Sequence, residues 1–353
     1  MTRRELLARG AASTFVALNA AAQNPVEQSP SGKALLGGSP TCFSVRTRAA
    51  RDNHHEFDII EHCHELGLAG AESILMEPSP ERVKSIRRQV DQYNMVVILN
   101  TRLPKTESNV QQFDTAVAAC KEAGASALHA AMTARRYEQF DTLEAFQANF
   151  AQCQKTISLA EPILRKHRMR LAIENHKGWR AAEQAAWVKR ISSEWVGVCL
   201  DMGNNISLCE LPDETFETLT PFAIFSHIKD MGVEEYSDGF LLSEVPFGQG
   251  VIDLKARIAQ LRRKDPQMLF CLEMITRDPL KVPVFSDKYW VTFSGPEEQI
   301  PGRDVAKTLE LVRKNPPKVP LPRPDSLPIA ERVKAEDEYN LACIRYARQN
   351  LNM

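Results

Sequence analysis

Leu171-Ala172-Ile173-Glu174-Asn175-His176-Lys177 begins as an apolar run of strand length and ends in a series of polar side chains. A carboxylate at the end of such a run costs several kcal/mol to bury unpaired, so the fold must bring it a partner. Three later segments repeat the design: Val198-Cys199-Leu200-Asp201, Ile224-Phe225-Ser226-His227 and Leu269-Phe270-Cys271-Leu272-Glu273. Glu174, Asp201, His227 and Glu273 at four strand ends point to one shared partner, a divalent cation. Oxygen ligands with one imidazole suit Mn²⁺ first, with Mg²⁺, Co²⁺ and Zn²⁺ open.

Working outward from these runs, the chain alternates. Strand patterns fall at 41–45, 71–75, 95–100, 127–132, 170–174, 196–200, 224–227 and 268–273. Between them lie helical patterns: one from about Asn53 with an inward stripe of Phe57, Ile60, Cys63, His64 and Leu68, then 80–93, 109–123, 143–167, 181–191, 213–219 and 254–263. Pro162 is expected to kink or split the fourth. Eight strands separated by helices predict a parallel (βα)8 barrel of the α/β class. A doubly wound open sheet also alternates, but no Gly-x-Gly-x-x-Gly follows the first strand. Beyond the repeat, 315–328 reads as a Pro-rich connector. A terminal helix follows at 329–351, with Val333, Tyr339, Leu341, Ile344 and Tyr346 as docking residues.

With 353 residues, 43% of them hydrophobic and 25% charged, the chain can bury a large core. Its net charge of -1 gives no bulk attraction for nucleic acid or an anionic membrane, which leaves small molecules as partners. Arg3-Arg4 before the apolar run 11–18 and Ala20-Ala21-Ala22 reads as a twin-arginine export signal over 1–22, with a periplasmic destination. That run is too short to span a bilayer once cleaved. Residues 23–40 read as a disordered leader outside the fold, 41–314 as the barrel and 315–353 as connector plus helix. The eight cysteines form no C-x-x-C pair and read as small buried hydrophobes.

Ile173-Glu174-Asn175-His176, Leu200-Asp201-Met202-Gly203-Asn204, His227-Ile228-Lys229-Asp230, Gly248-Gln249-Gly250-Val251-Ile252-Asp253 and Leu272-Glu273 together resemble the xylose-isomerase-like TIM-barrel superfamily, the sugar phosphate isomerase/epimerase group. The resemblance spans roughly Thr41 to Lys314. It implies that Glu174, Asp201, His227 and Glu273 bind one divalent cation, and that the two glutamates exchange protons with a carbohydrate or keto-sugar. Such a site stabilises an ene-diolate and serves isomerisation, epimerisation or elimination alike. Asn204 departs from the ketose epimerase pattern, where a histidine lies three residues after the metal-binding aspartate. An amide cannot shuttle a proton, which keeps a lyase or dehydratase acting on a keto-sugar or keto-cyclitol as the alternative.

Strand alternation predicts His176 beside Glu174 and Lys229 beside His227. His176 is either an acid/base or a hydrogen-bonded support. Lys229 either holds a substrate oxygen or pairs with a ligand carboxylate. Asn100, Arg102, Asn204, His129 and Trp290 are the candidate substrate contacts, Trp290 within an aromatic and basic segment (277–290) that reads as a lid or a packed loop. Glu72 reads as a structural partner, and His54, His55, His62 and His64 as a solvated helix surface. Gly248-Gln249-Gly250 reads as a turn that lets backbone approach a ligand. A metal-dependent phosphodiesterase would need more histidines and a basic surface. A non-catalytic exported sugar-binding protein, or a homo-oligomer, stays open.

Overall fold

The computed structural model describes residues 32–353. The signal expected at 1–22, and the first half of the leader, lie outside the described residues. Eight parallel strands close a barrel in the order β1 (Leu35–Gly38), β10 (Leu269–Leu272), β7 (Ala223–Ile228), β6 (Val196–Asp201), β5 (Leu171–Glu174), β4 (Ala127–Ala130), β3 (Val96–Asn100) and β2 (Gly70–Ile74). A second, three-stranded antiparallel sheet holds β8 (Asp230–Tyr236), β9 (Gly239–Val245) and β11 (Leu280–Val282).

The helices α1 (Ser44–Asp52), α2 (Ile59–Glu65), α3 (Pro80–Tyr93), α4 (Val110–Glu122), α5 (Arg136–Gln139) and α6 (Leu143–His167) accompany the first half of the barrel. The second half carries α7 (Ala181–Ile191), α8 (Pro212–Leu219), α9 (Leu254–Lys264), α10 (Asp287–Trp290), α11 (Gly302–Lys314) and α12 (Ile329–Asn350). Local chemistry sets their ends. Ser79 accepts from Arg82 N ahead of Pro80, Thr142 accepts from Ala145 N, and Asn94 and Ser192 end α3 and α7 in left-handed conformations. Pro162 sits inside α6 without splitting it.

Strand periodicity explains why the chemistry gathers at one rim. Inside the barrel, Ala127, Ala172, Cys199, Phe225 and Cys271 form an apolar layer. Two positions further along the same strands stand His129, Glu174, Asp201, His227 and Glu273. Successive side chains alternate between faces, so each polar group lies above its apolar neighbour on the inner face, at the C-terminal end of the barrel. The larger core lies between the barrel and its helices.

Three expectations are corrected. The first strand is Leu35–Gly38, inside the expected leader; residues 41–45 instead enter a 3₁₀ turn and α1. Ala49-Ala50 and the arginines around them are good helix formers, which overrides the β-branched look of Thr41 to Val45. The helix expected from Asn53 begins at Ile59, because Asp58 accepts from Ile60 N and Glu61 N as its cap. On α12, Ile344 is buried and Tyr339 and Tyr346 pack half-buried against the core as expected, but Leu341 is exposed, and Glu336, Asn340, Cys343 and Ala347 complete the buried stripe. All eight cysteines are buried and free. Among the described residues no helix is long and apolar enough to cross a membrane.

Candidate metal centre and adjoining cavity

Glu174, Asp201, His227 and Glu273 converge: one ligand atom from each lies within 4.8 Å of the others, and all four residues are buried. His227 Nδ1 stands 3.6 Å from Glu174 Oε1 and 3.6 Å from Glu273 Oε1. On its other side, His227 Nε2 is 2.7 Å from Glu72 Oε2. A carboxylate holding one imidazole nitrogen fixes the ring and leaves the other for a cation, and His227 Nδ1 has no hydrogen-bond partner. An orphaned buried nitrogen facing two carboxylates fits a divalent ion, so these residues could hold one.

Glu72 lies between two imidazoles. It also stands 2.9 Å from His129 Nδ1, whose Nε2 is 3.4 Å from Glu174 Oε2. Burial raises the Glu72 carboxyl, but His129 and His227 beside it outweigh that and hold it far below the carboxylate range. Burial likewise opposes a charge on His129, yet Glu72 lifts its pKa well above the ordinary value. Asn100 joins this set by donating to Glu72 Oε1 at 2.8 Å.

Lys229, just past the end of β7, pairs with the ligand carboxylates. Its Nζ is 2.7 Å from Asp201 Oδ2 and 2.6 Å from Glu273 Oε2. Burial disfavours the ammonium, but Asp201 and Glu273 raise its pKa beyond the ordinary lysine value. Burial pushes Asp201 up to about 7 despite Lys229, whereas Lys229 and His227 overcome burial at Glu273 and bring it down to about 2. Asp201 Oδ1 also accepts from Gly203 N and Asn204 N at 2.9 and 2.7 Å. Asn204 donates to Glu174 Oε1 at 2.8 Å and accepts from Lys229 Nζ at 3.0 Å and from Lys177 Nζ. It is thus locked by its neighbours and buried.

His176 lines the cavity, with Nδ1 2.6 Å from Thr133 O, so Nδ1 carries the proton and Nε2 is the basic nitrogen. Burial holds its pKa below the ordinary histidine value against the pull of Glu174. Arg102 is exposed on the cavity rim and pairs with Glu77 at 3.0 Å. Trp290 is placed elsewhere: its Nε1 donates to Val284 O at 2.8 Å, and its ring packs on Tyr289 and Phe293. The segment around it packs as strand β11 and helix α10, and Trp290 is not in position to stack on a sugar at the metal cluster. The Gly248–Gly250 turn wraps a protein carboxylate instead of a ligand, with Gly248 N and Gly250 N both 2.9 Å from Asp230 Oδ2.

Sequence reasoning missed three contributors. Thr41 donates to Glu273 Oε1 at 3.0 Å from the loop after β1. Glu244, buried on β9, pairs with Arg277 at 2.6 Å and lies 4.0 Å from Lys229. Lys177 sits buried at φ 50° with its pKa brought down to about 8, by burial first and then by Lys229. Asp238-Gly239 between two alternating runs was the available signal for the hairpin that carries Glu244.

The sequence profile of the xylose isomerase-like TIM barrel family matches residues 56–305, more than two thirds of the chain. The chain belongs to that family. As a xylose isomerase-like barrel it shares its fold with a xylose isomerase domain protein from Planctomyces limnophilus (TM-score 0.51, 12% identity, 81% of this chain and 97% of that one). It likewise shares its fold with a D-psicose 3-epimerase (TM-score 0.50, 15% identity, 80% of this chain and 96% of that one). A curated relative, the 3-oxo-isoapionate decarboxylase of Pectobacterium atrosepticum, is 30% identical over 97 residues. That match covers 27% of this chain and 35% of the relative.

Proposed function

We propose that this xylose isomerase-like barrel is an exported, divalent-metal-dependent enzyme that moves a proton at a carbon next to a carbonyl in a carbohydrate or keto-sugar, as an isomerase or epimerase. The observation that carries the reading is the approach of both Glu174 and Glu273 to His227 Nδ1, each at 3.6 Å, at a cavity both residues line. When bound, a cation, Mn²⁺ first, supplies positive charge against the negative charge that develops on substrate oxygen.

The remaining steps belong to the chain. Burial opposes the charge on Glu174, but the imidazoles of His176, His129 and His227 keep it ionised, so it can accept a proton from substrate carbon. Glu273, ionised and oriented by Lys229 and Thr41, is the second acceptor. His176 Nε2 offers a neutral base that can take a proton from a substrate hydroxyl and return it. His129 and Asn100 on the wall supply polar contacts.

A lyase reading is favoured by one observation. Asn204 is held by Glu174, Lys177 and Lys229, so this position orients carboxylate and ammonium groups and moves no proton. Loss of a leaving group, a β-hydroxyl in particular, needs only one proton abstraction from carbon. Purified protein loaded with Mn²⁺ is expected to exchange substrate C–H for solvent deuterium, detected by NMR across aldoses, ketoses and keto-sugars. Failure to exchange with every member of that panel would remove the proton-transfer reading.

A further inference from the structure

The cavity that meets the metal cluster is far larger than one sugar ring requires. Its volume is about 1520 Å³, against roughly 300–1,000 Å³ for a usual small-molecule pocket. At its inner end stand Glu174, His176, His227 and Glu273; from there its lining continues past the end of β3 onto residues of α4 and α6, where the chamber they wall opens to solvent at Gln112 and Gln152. Gln112 and Asn149 present side-chain amides to this chamber, Gln152 adds one whose Nε2 already donates to Lys105 O at 2.9 Å, and Phe113 and Met132 give it apolar wall. Across the opening, Ile74 and Met76 are 48% and 38% exposed, and both line the cavity. Exposed aliphatic side chains cost little singly, but two on the wall of a cavity offer apolar surface to a ligand.

The wall chemistry selects among ligands. Amides with apolar neighbours match a ring that has hydroxyls at its rim and C–H groups on its faces. A phosphate would call for several convergent cationic groups; Arg102 at this rim is already paired with Glu77 at 3.0 Å, which leaves Lys105 as a single exposed ammonium on the wall. We propose that the chamber between α4 and α6 is a second subsite, binding a further sugar ring joined through a glycosidic oxygen to the ring that reacts at Glu174 and Glu273. The substrate class is then a keto-disaccharide or other glycoside. This rests on the proton-transfer reading above for which ring reacts, and on the cavity alone for the second ring.

Calorimetry on the Mn²⁺-loaded full chain tests it, comparing fructose with maltulose, turanose and isomaltulose, which carry a glucosyl ring on the same ketose at different positions. At least one disaccharide is expected to bind tenfold or more tighter than fructose. That gain should vanish when the chamber is filled by Gln112→Trp with Asn149→Trp, and fall several-fold in Met76→Ser, a change at an exposed position that leaves packing intact. Circular dichroism melts establish that each variant is folded. No gain for any disaccharide, a gain that survives the filled chamber, or fructose 6-phosphate binding tighter than every disaccharide would overturn the subsite. Deuterium exchange on the same samples reads the other claim separately: tight disaccharide binding without exchange sinks proton transfer and upholds the subsite. Full exchange with no advantage for a second ring sinks the subsite alone.

Discussion

At the scale of single residues, the centre works by matching buried charges, and each match can be broken. Glu72 touches no cation position itself but holds His227 by Nε2, so Glu72→Gln should weaken Mn²⁺ binding about 10–100-fold, as loss of such a support does elsewhere. Calorimetry with the metal alone measures this, and an unchanged Kd would remove Glu72 from that role. Lys229 has the opposite character. Its ammonium already neutralises Asp201 and Glu273, two of the four candidate ligands, and therefore competes with a divalent ion. Lys229→Met leaves those carboxylates buried and unpaired, an expected loss of about 3–5 kcal/mol in the metal-free chain. The rise in Tm on adding Mn²⁺ should then exceed that of the wild type; an equal or smaller rise would mean that the lysine and the ion do not compete. The four convergent side chains were legible in sequence because each ends an apolar run. Glu244 and Lys177 were not, because the first depends on a hairpin outside the barrel and the second on a left-handed backbone turn that no local pattern announces.

Among the elements, α12 is fastened to the start of the barrel by polar contacts. Glu336 accepts from Val45 N and Arg46 N at 2.7 and 2.9 Å, and Asn340 donates to Cys42 O at 2.6 Å. Burial raises the Glu336 carboxyl from 4.5 to about 7 even though those amides favour its charge. Between pH 4.5 and 7 the folded chain therefore holds a proton that the unfolded chain has released. Stability contributed by this group falls as pH rises through that window and levels off above it. The amount is on the order of 3 kcal/mol, at about 1.4 kcal/mol per pH unit. Denaturant titrations of wild type and Glu336→Gln should converge above pH 7 less closely than below pH 5, with the shallower slope in the variant; parallel pH profiles would dismiss the effect. Helices such as 80–93, 143–167 and 181–191 were legible to the residue from their periodicity. The α12 contact face was read in part: Tyr339, Ile344 and Tyr346 do pack on the core, but its polar anchors, a glutamate and an asparagine, are what hydrophobic periodicity passes over.

Across the whole molecule, the barrel was legible from alternation, and its seam was not. Leu35-Leu36-Gly37-Gly38 lies in a stretch rich in Gly, Ser and Pro, where strand propensity is low. The glycines are there for proximity: a Cβ on Gly37 would stand 2.9 Å from Gly70 O, closer than real contacts allow. What looks like linker composition is the shape needed where neighbouring backbones crowd together. Seven strands were readable because they carry bulky side chains inward and outward; the eighth makes room for its neighbours instead. β1 pairs with both β10 and β2, so it alone joins the last strand of the ring to the second. A chain starting at Lys33 is expected to elute as a folded species with a cooperative melt, whereas one starting at Ser39 should elute as aggregate. A monomeric, native-like product from the shorter chain would show that the ring closes without it. If processing of the precursor trims its front end, the cut has a hard boundary: every scissile bond downstream of Ala34 would unzip the cylinder and bare two facing rows of amide and carbonyl groups to other molecules.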